Sequence, residues 1–472
     1  MNQTYQINHS SDNLRSRVFI LQKSELEKRW DPYFYLNRVE IKNAIKLSKL
    51  VDIKGGKRIP KDHYYSSEPT DYRYLRVESI SEYGFINWTN LKFISSEIYD
   101  ILKRYRIGKG DVVISIAGTI GKIACIDEDI CNIILTENCV KLVIRDKETL
   151  LPKFLQILLQ LSTSQMQMQQ GFIQTTIPKL GIDKIEEILL PKIPPIEKQL
   201  EIITFYENSI SQKQQNEANA EKLLISIDDY LLKELGITLP EPPENTLKNR
   251  MFKSILSKLS GNRMDCYYYF TEDVETQINN GLYKSANFSS LFNSLINGFD
   301  FRDYKESGTP YIKVANVRKG EFDFSKMQFI ELDSTGISKA IQLKKGNILL
   351  TRKGTFGYTL CLENDFDYVI SSEIFYIELK HEILNSKYLE IFFNSVMGQK
   401  QFDRVKIGAI MGSLSQEAVK SLRIPLPPLT KQIEIANHIT AIRQQAQQLK
   451  GQTKEALAQA GKEIENLLLE TV

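Results

Sequence analysis

The chain repeats itself, in the same order and at a near-constant offset. LPKIPPIEKQLEI (Leu190 to Ile202) returns as IPLPPLTKQIEI (Ile424 to Ile435). Upstream of each, IGKGDVVISIAGTIGKIACI (Ile107 to Ile126) returns as LKKGNILLTRKGTFGYTLCL (Leu343 to Leu362). Further upstream, RWDPYFY (Arg29 to Tyr35) is echoed by NRMDCYYY (Asn262 to Tyr269). The offset stays near 234 residues, about half of a 472-residue chain. Two large copies in one order imply two similar modules with a pseudo-twofold relation. A twofold reader facing a duplex is the usual physical reason for such a plan.

Each copy has the same internal order. YRYLRVESI and GFINW suggest short strands around turns, and DVVISIAGTIGKIACI reads as two strands joined by a Gly-Thr-x-Gly turn. KFLQILLQLSTSQMQMQQ (Lys153 to Gln170) reads as a helix, matched by SKYLEIFFNSVMGQKQFDR (Ser386 to Arg404). A long helix follows each double proline. The first runs from about Ile196 to Leu235, with a seam at Ile203, Tyr206, Ile210, Lys213, Glu217, Ala220, Leu224, Ile227 and Leu231, polar at its centre. The second has a cleaner seam at Ile435, Ile439, Ile442, Ala446, Leu449, Thr453, Ala456 and Ala460. This three-four spacing is that of a coiled coil, and mutual packing of the two helices is expected. Gly236 ends the first helix, and LPEPPEN (Leu239 to Asn245) punctuates the chain before the second module.

Composition narrows the class. Charged residues at 25% and hydrophobic residues at 42% describe an ordinary globular chain long enough for several cores. Cys125, Cys131, Cys139, Cys266 and Cys361 lack CxxC spacing and read as reduced core thiols of a cytoplasmic protein. The polar start MNQTYQINHSSDNLRSR has no apolar signal core, and no run of 18 apolar residues suggests a membrane span. The net charge of +3 announces no nucleic acid by itself. Its distribution says more. Arg38 to Arg76 carries ten Lys/Arg against five Asp/Glu, and Arg302 to Gly354 eleven against six, at matched places of the repeat. The same local excess in both copies points toward phosphate contact.

Catalytic patterns are weak. Asp31-Pro32-Tyr33-Phe34 only faintly matches the target-gripping loop of amino-methyltransferases, and its echo reads Asp265-Cys266-Tyr267. Glu40-x-Lys42 and Glu378-x-Lys380 suggest nuclease spacing but occupy unmatched positions. His9, His63, His381 and His438 are scattered, which disfavours a metal site or a Ser/His/Asp triad, and there is no GxxxxGK phosphate loop.

These motifs resemble the specificity (S) subunit of type I restriction–modification systems over nearly the whole chain. The strongest carrier is the proline-rich entry Ile424 to Ala436; in the first copy Lys192 and Ile193 alter its lead-in and Ile203 replaces the Ala. Lys109 to Gly121 and Lys345 to Gly357 carry the hairpin pattern, with Asn347 in place of Asp in the second. The resemblance implies an α+β chain of two tandem target-recognition domains, separated by two long helices packed as an antiparallel coiled coil. The expected divisions are a leader (1–28), recognition domain 1 (29–193), helical spacer 1 (194–238), a linker (239–261), recognition domain 2 (262–427) and helical spacer 2 (428–472). It further implies a non-catalytic, DNA-binding phage-defence component reading a split, asymmetric site. Its partners would be double-stranded DNA, two methyltransferase (M) subunits and restriction (R) subunits, with S-adenosylmethionine, ATP and Mg on those subunits. The alternatives are a non-catalytic protein-interaction scaffold and the specificity subunit of a methylation-only system.

Base edges call for Arg or Lys at guanine, Asn or Gln at adenine, and Ser or Thr at either, while glycine turns let backbone approach phosphate. The DNA-facing candidates are therefore Lys54, Lys57, Arg58, Arg73, Arg76, Ser115, Thr119 and Lys122 in the first copy. In the second they are Lys313, Asn316, Arg318, Lys319, Arg352, Lys353, Thr355 and Tyr358. Arg352 is the candidate guanine reader and Lys122 the candidate phosphate contact. Ile203, Ile210, Leu224, Leu231, Ile435, Ile439, Ile442 and Leu449 are the candidate helix-packing or partner-binding positions. Other tyrosines, such as Tyr33, Tyr35 and Tyr267 to Tyr269, read as core.

Overall fold

The computed structural model describes residues 41–129, 131–171, 179–239, 246, 251, 273–331, 342–408 and 412–470. The leader, Glu40, the RWDPYFY and NRMDCYYY segments and Cys266 lie outside the described residues. The chain divides into two compact units. The first comprises residues 1–215 with 453–472, and the second residues 216–452.

The first unit contains β1 (Ile45–Lys46), β2 (Val51–Gly55), β3 (Arg73–Leu75), β4 (Lys92–Phe93), α1 (Ser96–Leu102), β5 (Arg106–Ile107), β6 (Val112–Ser115), β7 (Ile123–Cys125), β8 (Ile133–Leu135) and β9 (Cys139–Ile144). After these come α2 (Pro152–Gln160), α3 (Ser162–Gly171), α4 (Ile182–Glu186) and β10 (Leu189–Leu190), and then the long helix α5 (Ile196–Leu235), whose residues from 216 on belong to the second unit. One sheet is antiparallel in the order β2-β9-β6-β7. The other runs β4-β3-β8-β5 with β3 and β8 parallel, and β1 pairs with β10.

The second unit repeats the plan. It holds α6 (Asp273–Asn279), β11 (Ser285–Asn287), β12 (Phe292–Asn297), β13 (Tyr304–Lys305), β14 (Thr309–Ile312), β15 (Val317–Arg318), β16 (Glu321–Phe322), β17 (Gln328–Ile330), β18 (Ile348–Thr351), β19 (Thr359–Cys361), β20 (Val369–Ile370) and β21 (Ile374–Leu379). These lead to α7 (Ser386–Asn394), α8 (Val396–Val405), α9 (Gln416–Lys420), β22 (Arg423–Pro425) and the long helix α10 (Leu429–Glu470), whose residues from 453 on belong to the first unit. Its sheets run β12-β21-β18-β19 and β13-β17-β14-β20, the latter with β14 and β20 parallel, plus the pairs β11-β22 and β15-β16. The continuous apolar runs of β6 and β18 are buried along their whole length, as strands covered on both faces require.

Each helix expected after the hairpin is in fact two. The first breaks at Leu161 and the second at Ser395, both in extended backbone. A break leaves carbonyls at the end of the first helix without intrahelical partners. A glutamine one turn on supplies the donor. Gln165 Nε2 donates to Leu159 O and Gly121 O, and Gln399 Nε2 to Phe393 O and Gly357 O. One amide thus ties the helix break to the hairpin turn in each unit. Gln167 and Gln401 each exchange two hydrogen bonds with a strand backbone, at Leu189 and Arg423. The expected strand in GFINW is an isolated Ile80–Ile86 bridge followed by a short 3-10 turn at Trp88–Asn90.

The glutamine after each double proline is buried. Gln199 Nε2 donates to Thr149 O (2.7 Å) and Pro194 O (2.8 Å), and its Oε1 accepts from Leu151 N (2.9 Å). Gln432 Nε2 donates to Ile383 O (3.0 Å) and Pro427 O (2.9 Å), and its Oε1 accepts from Asn385 N (2.8 Å). Each therefore fastens the start of a long helix to the loop that opens α2 or α7.

The long helices pack with opposite sense. In the second unit the Tyr230 and His438 rings lie 4.1 Å apart and Glu234 meets Lys431 at 2.6 Å, so position rises on one helix as it falls on the other. In the first unit Ile203, Tyr206 and Ile210 share a core with Ile464 and Leu468. Ile203, Ile210, Leu231, Ile435 and Ile439 are buried, with Ile442 and Leu449 partly so. Leu224 corrects the expected seam. It is 38% exposed, because the buried face passes from Ala220 to Leu223 and Ile227. Glu217 and Ala456 are likewise exposed, and Leu457 takes the inner position beside Ala456. The polar centre is real: Lys213 is buried with Nζ 3.2 Å from the centre of the Tyr83 ring.

Cys125, Cys139 and Cys361 are buried, whereas Cys131 is exposed and is not the core thiol expected of it. Burial pushes the Cys125 thiol up to about 11 and the Cys139 and Cys361 thiols to about 12. In a Cys266→Ser variant, a thiol-reactive dye near neutral pH should label Cys131 and leave the three buried thiols until denaturant is added. Equal labelling of all in the native protein would contradict this core. The paired glutamines give a second expectation. Gln199→Leu and Gln432→Leu each strand a buried N–H and two carbonyls, and should lower unfolding stability by about 2–4 kcal/mol. Urea unfolding followed by tryptophan fluorescence and circular dichroism measures it, and an unchanged midpoint would rule out the anchoring role.

Candidate nucleic-acid interface

The hairpin turn of each unit hangs on one buried hydroxyl. Ser115 Oγ donates to Thr119 O (2.6 Å) and accepts from Lys122 N (2.9 Å). Thr351 Oγ1 likewise donates to Thr355 O and accepts from Tyr358 N (2.9 Å). Gly121 and Gly357 close these turns at φ 85° and 83°, a region that favours glycine. Ser115 is therefore corrected from an outward candidate to a residue that builds the turn, since its side chain is fully buried.

A second matched frame, unnoticed in the sequence, lies beside the hairpin. Tyr74 and Tyr311 sit at equivalent places in β3 and β14, and each donates its hydroxyl to a backbone carbonyl, Lys57 O and Phe299 O. Arg76 and Lys313 then precede short 3-10 turns in nearly the same extended conformation (φ −116°, ψ 164° and φ −111°, ψ 168°). Asn87 N bonds Ser79 O, and Asp323 N bonds Asn316 O. Asn87 caps Thr89 as Asp323 caps Ser325. Asn316 is buried, accepting from Lys313 N and donating to Asp323 O, so it too holds the loop instead of facing outward. The signal that could have revealed this frame is the faint likeness of YLRVESI to YIKVANV.

The outward residues differ between the units. In the second, Arg318, Lys319 and Tyr358 come together with Phe322 and Phe324 around an open cleft of about 560 Å³. Lys319 Nζ lies 5.5 Å from the centre of the Tyr358 ring, Arg318 pairs with Asp323 at 3.5 Å, and Phe324 is 56% exposed. Lys313 Nζ lies over Tyr304 at 4.7 Å. Lys353 and Thr355 are exposed on the hairpin. Arg352 is turned inward: Nη1 donates to Ser372 O (3.3 Å), the guanidinium covers Phe375 at 5.2 Å, and its Nε is buried without a hydrogen-bond partner. That posture corrects the picture of Arg352 as a free fork presented to guanine.

In the first unit, Arg58 pairs with Glu137 at 2.6 Å, and Arg76 pairs with Glu78 at 2.7 Å while covering Tyr65 at 5.9 Å. Tyr65 in turn contacts Tyr74, whose ring centre is 5.8 Å away. Burial pulls the Glu137 carboxyl up, but hydrogen bonds from Arg58 and Thr136 hold it below the usual carboxylate range. Lys57, Arg58, Tyr65, Tyr74 and Arg76 thus form one basic and aromatic group, with Tyr64 beside it 82% exposed. Lys54 is exposed on β2, opposite Lys141. Arg73 is directed elsewhere, to Trp88 O (3.3 Å) and over Phe93 (5.4 Å). Thr119 is exposed at the turn, and Lys122 Nζ donates to Ile80 O (2.8 Å), tying the hairpin to the neighbouring loop. Tyr64, Tyr65, Phe322 and Phe324 carry no mark in the sequence, since tertiary packing alone decides whether such rings lie at the surface.

Comparison with known proteins identifies the family. The family model for the type I restriction modification DNA specificity domain matches residues 40–224 and again 289–459. The type I restriction enzyme EcoKI specificity subunit of Escherichia coli (strain K12) is 24% identical over 196 residues, covering 40% of this chain and 42% of that one. The EcoBI specificity subunit of Escherichia coli is 20% identical over 305 residues, covering 62% and 59%. The chain thus spans about two-fifths to three-fifths of the length of these curated relatives. In fold it is similar to a chain in a solved structure concerned with complex assembly and conformational transition of the type I R-M system. The TM-score is 0.54 at 14% identity, covering 92% of this chain and 98% of that one. With its two matched regions spanning most of the sequence, the chain belongs to the type I restriction modification DNA specificity family.

Proposed function

We propose that this chain is the DNA-reading specificity subunit of a type I restriction–modification complex, recognising a split, asymmetric site. One observation carries the reading: each unit holds a full copy of the same hydrogen-bonded loop frame, dressed with different outward side chains. Two copies of one frame suit two stretches of the same duplex, and different side chains suit different sequences. Basic and aromatic residues at both loop sets supply donors for base edges and phosphates. The long helices would set the number of base pairs between the half-sites. The subunit itself would carry out no chemistry. S-adenosylmethionine, ATP and Mg would belong to the methyltransferase and restriction subunits, and the complex would act in the cytoplasm. No helix among the described residues is long and apolar enough to cross a membrane.

Partner docking has its own support. Leu200 and Ile433 follow the two anchoring glutamines, and both are exposed large apolar residues at matched positions. The same apolar feature offered twice suits two copies of one partner, the methyltransferase subunit. Leu200→Asp combined with Ile433→Asp should weaken co-purification of that subunit at least tenfold, about 1.4 kcal/mol, without changing the chain's own melting. Undiminished co-purification would remove these residues from the interface.

The main test is a module exchange. Replacing residues 29–190 by the corresponding segment of a relative should change one half of the methylated sequence and leave the other intact. A change in both halves, or methyl transfer by the isolated chain, would defeat the reading.

A further inference from the structure

The second unit's cleft has a chemistry that can be weighed against its two possible DNA targets, phosphate and base. Its cations are Arg318 and Lys319, and its anions are Glu321 and Asp323. Two positive and two negative groups cancel, so the cleft offers little net attraction for a phosphate. Asp323 is an anion near neutral pH, as an ordinary aspartate is, and the Ser325 hydroxyl donates to it. Donors, acceptors and an exposed aromatic ring side by side are instead what a nucleobase edge requires, since every base carries both polar groups and an apolar face.

The repeat supplies an independent comparison. In the first unit the frame is the same: the Ile80–Ile86 bridge corresponds to the Val317–Phe322 pair, and Asn87 caps as Asp323 does. The turn held by that frame nevertheless carries Ser81 and Glu82 where the second unit carries Arg318 and Lys319. Charge is inverted while the backbone scaffold is kept. The hairpin turns, by contrast, build themselves from one hydroxyl device in both units and turn Arg352 inward. We propose that the turn from Arg318 to Phe324, and not the glycine hairpin, is the principal base-reading element of the second unit, with Lys319 and Arg318 as donors to the base edge. This rests on the DNA-reading function proposed above and names the residues that give it sequence preference.

The test is selection of bound sequences from a duplex pool with a randomised core, using the full chain with its methyltransferase subunits, followed by titration at several salt concentrations. Arg318→Gln and Lys319→Gln should each lower the preference at one or two adjacent positions of one half-site by about 5- to 150-fold, the range of one good base contact. The other half-site should keep its preferences, and the log–log salt slope should stay within about half a unit of the parent. Phe324→Leu keeps an apolar group against Phe322 and should affect the same half-site, which guards against misreading a folding defect. Weakening that is uniform over all sequences, with the slope reduced by about one for each cation removed, would make these residues phosphate contacts and overturn the proposal. Unchanged preferences in all three variants, with a parent that selects a split site, would overturn the proposal alone. A parent that selects no sequence would overturn the DNA-reading function with it.

Discussion

Both units depend on a glutamine amide buried where a long helix begins. Apolar packing is strong but has no direction, so it cannot by itself fix the angle at which a helix leaves a module. Gln199 and Gln432 add that direction: each uses its oxygen and its nitrogen on three backbone groups from two segments. The double proline before each glutamine brings no N–H of its own, and the amide reaches back to the carbonyl of its first proline. The repeated proline-and-glutamine motif is thus the outline of a joint. The loop frames that carry the outward residues are built on the sheets and helices this joint holds.

Much of the fold was legible because the chain writes it twice. The bounds of α5, its glycine stop and the strand-turn-strand hairpins follow from periodicity and turn chemistry. What escaped was decided by tertiary partners. A three-four pattern allows either Leu223 or Leu224 inward, and only the facing surface chooses Leu223. The helix breaks at Leu161 and Ser395 have no proline or glycine to mark them, and depend on glutamines that bond across the module. The site was less legible than the fold. Ser115 and Asn316 are the right residue types for reading bases, but their polar groups hold turns together. Arg352 had the right charge in the right turn, yet an aromatic ring and a carbonyl nearby hold it down.

The two units also differ inside, at a position where they agree in geometry. Gln156 accepts from Cys125 N, and Glu390 accepts from Cys361 N. The first is neutral and continues to Gln160. The second is a fully buried carboxylate that meets Lys387 at 2.9 Å and Arg443 at 2.7 Å. A buried carboxylate is tolerated only when such partners compensate its lost hydration. The second unit thereby ties α7 to α10 through a buried carboxylate, where the first keeps a neutral amide inside and pairs Lys153 of α2 with Glu207 of α5 at 3.6 Å.

The first unit is assembled from sequence that is not contiguous. Its core takes Ile464 and Leu468, and Glu465 receives hydrogen bonds from Ser162 and Thr163, although some 300 residues separate them. During synthesis the amino-terminal unit therefore cannot be completed when its own strands and helices have left the ribosome. It must wait, with part of its apolar face uncovered, until the last turns of α10 emerge. The unit whose strands are made earlier is finished after the other, and it stays exposed to chaperones, proteases and other copies of itself while the second unit is being made.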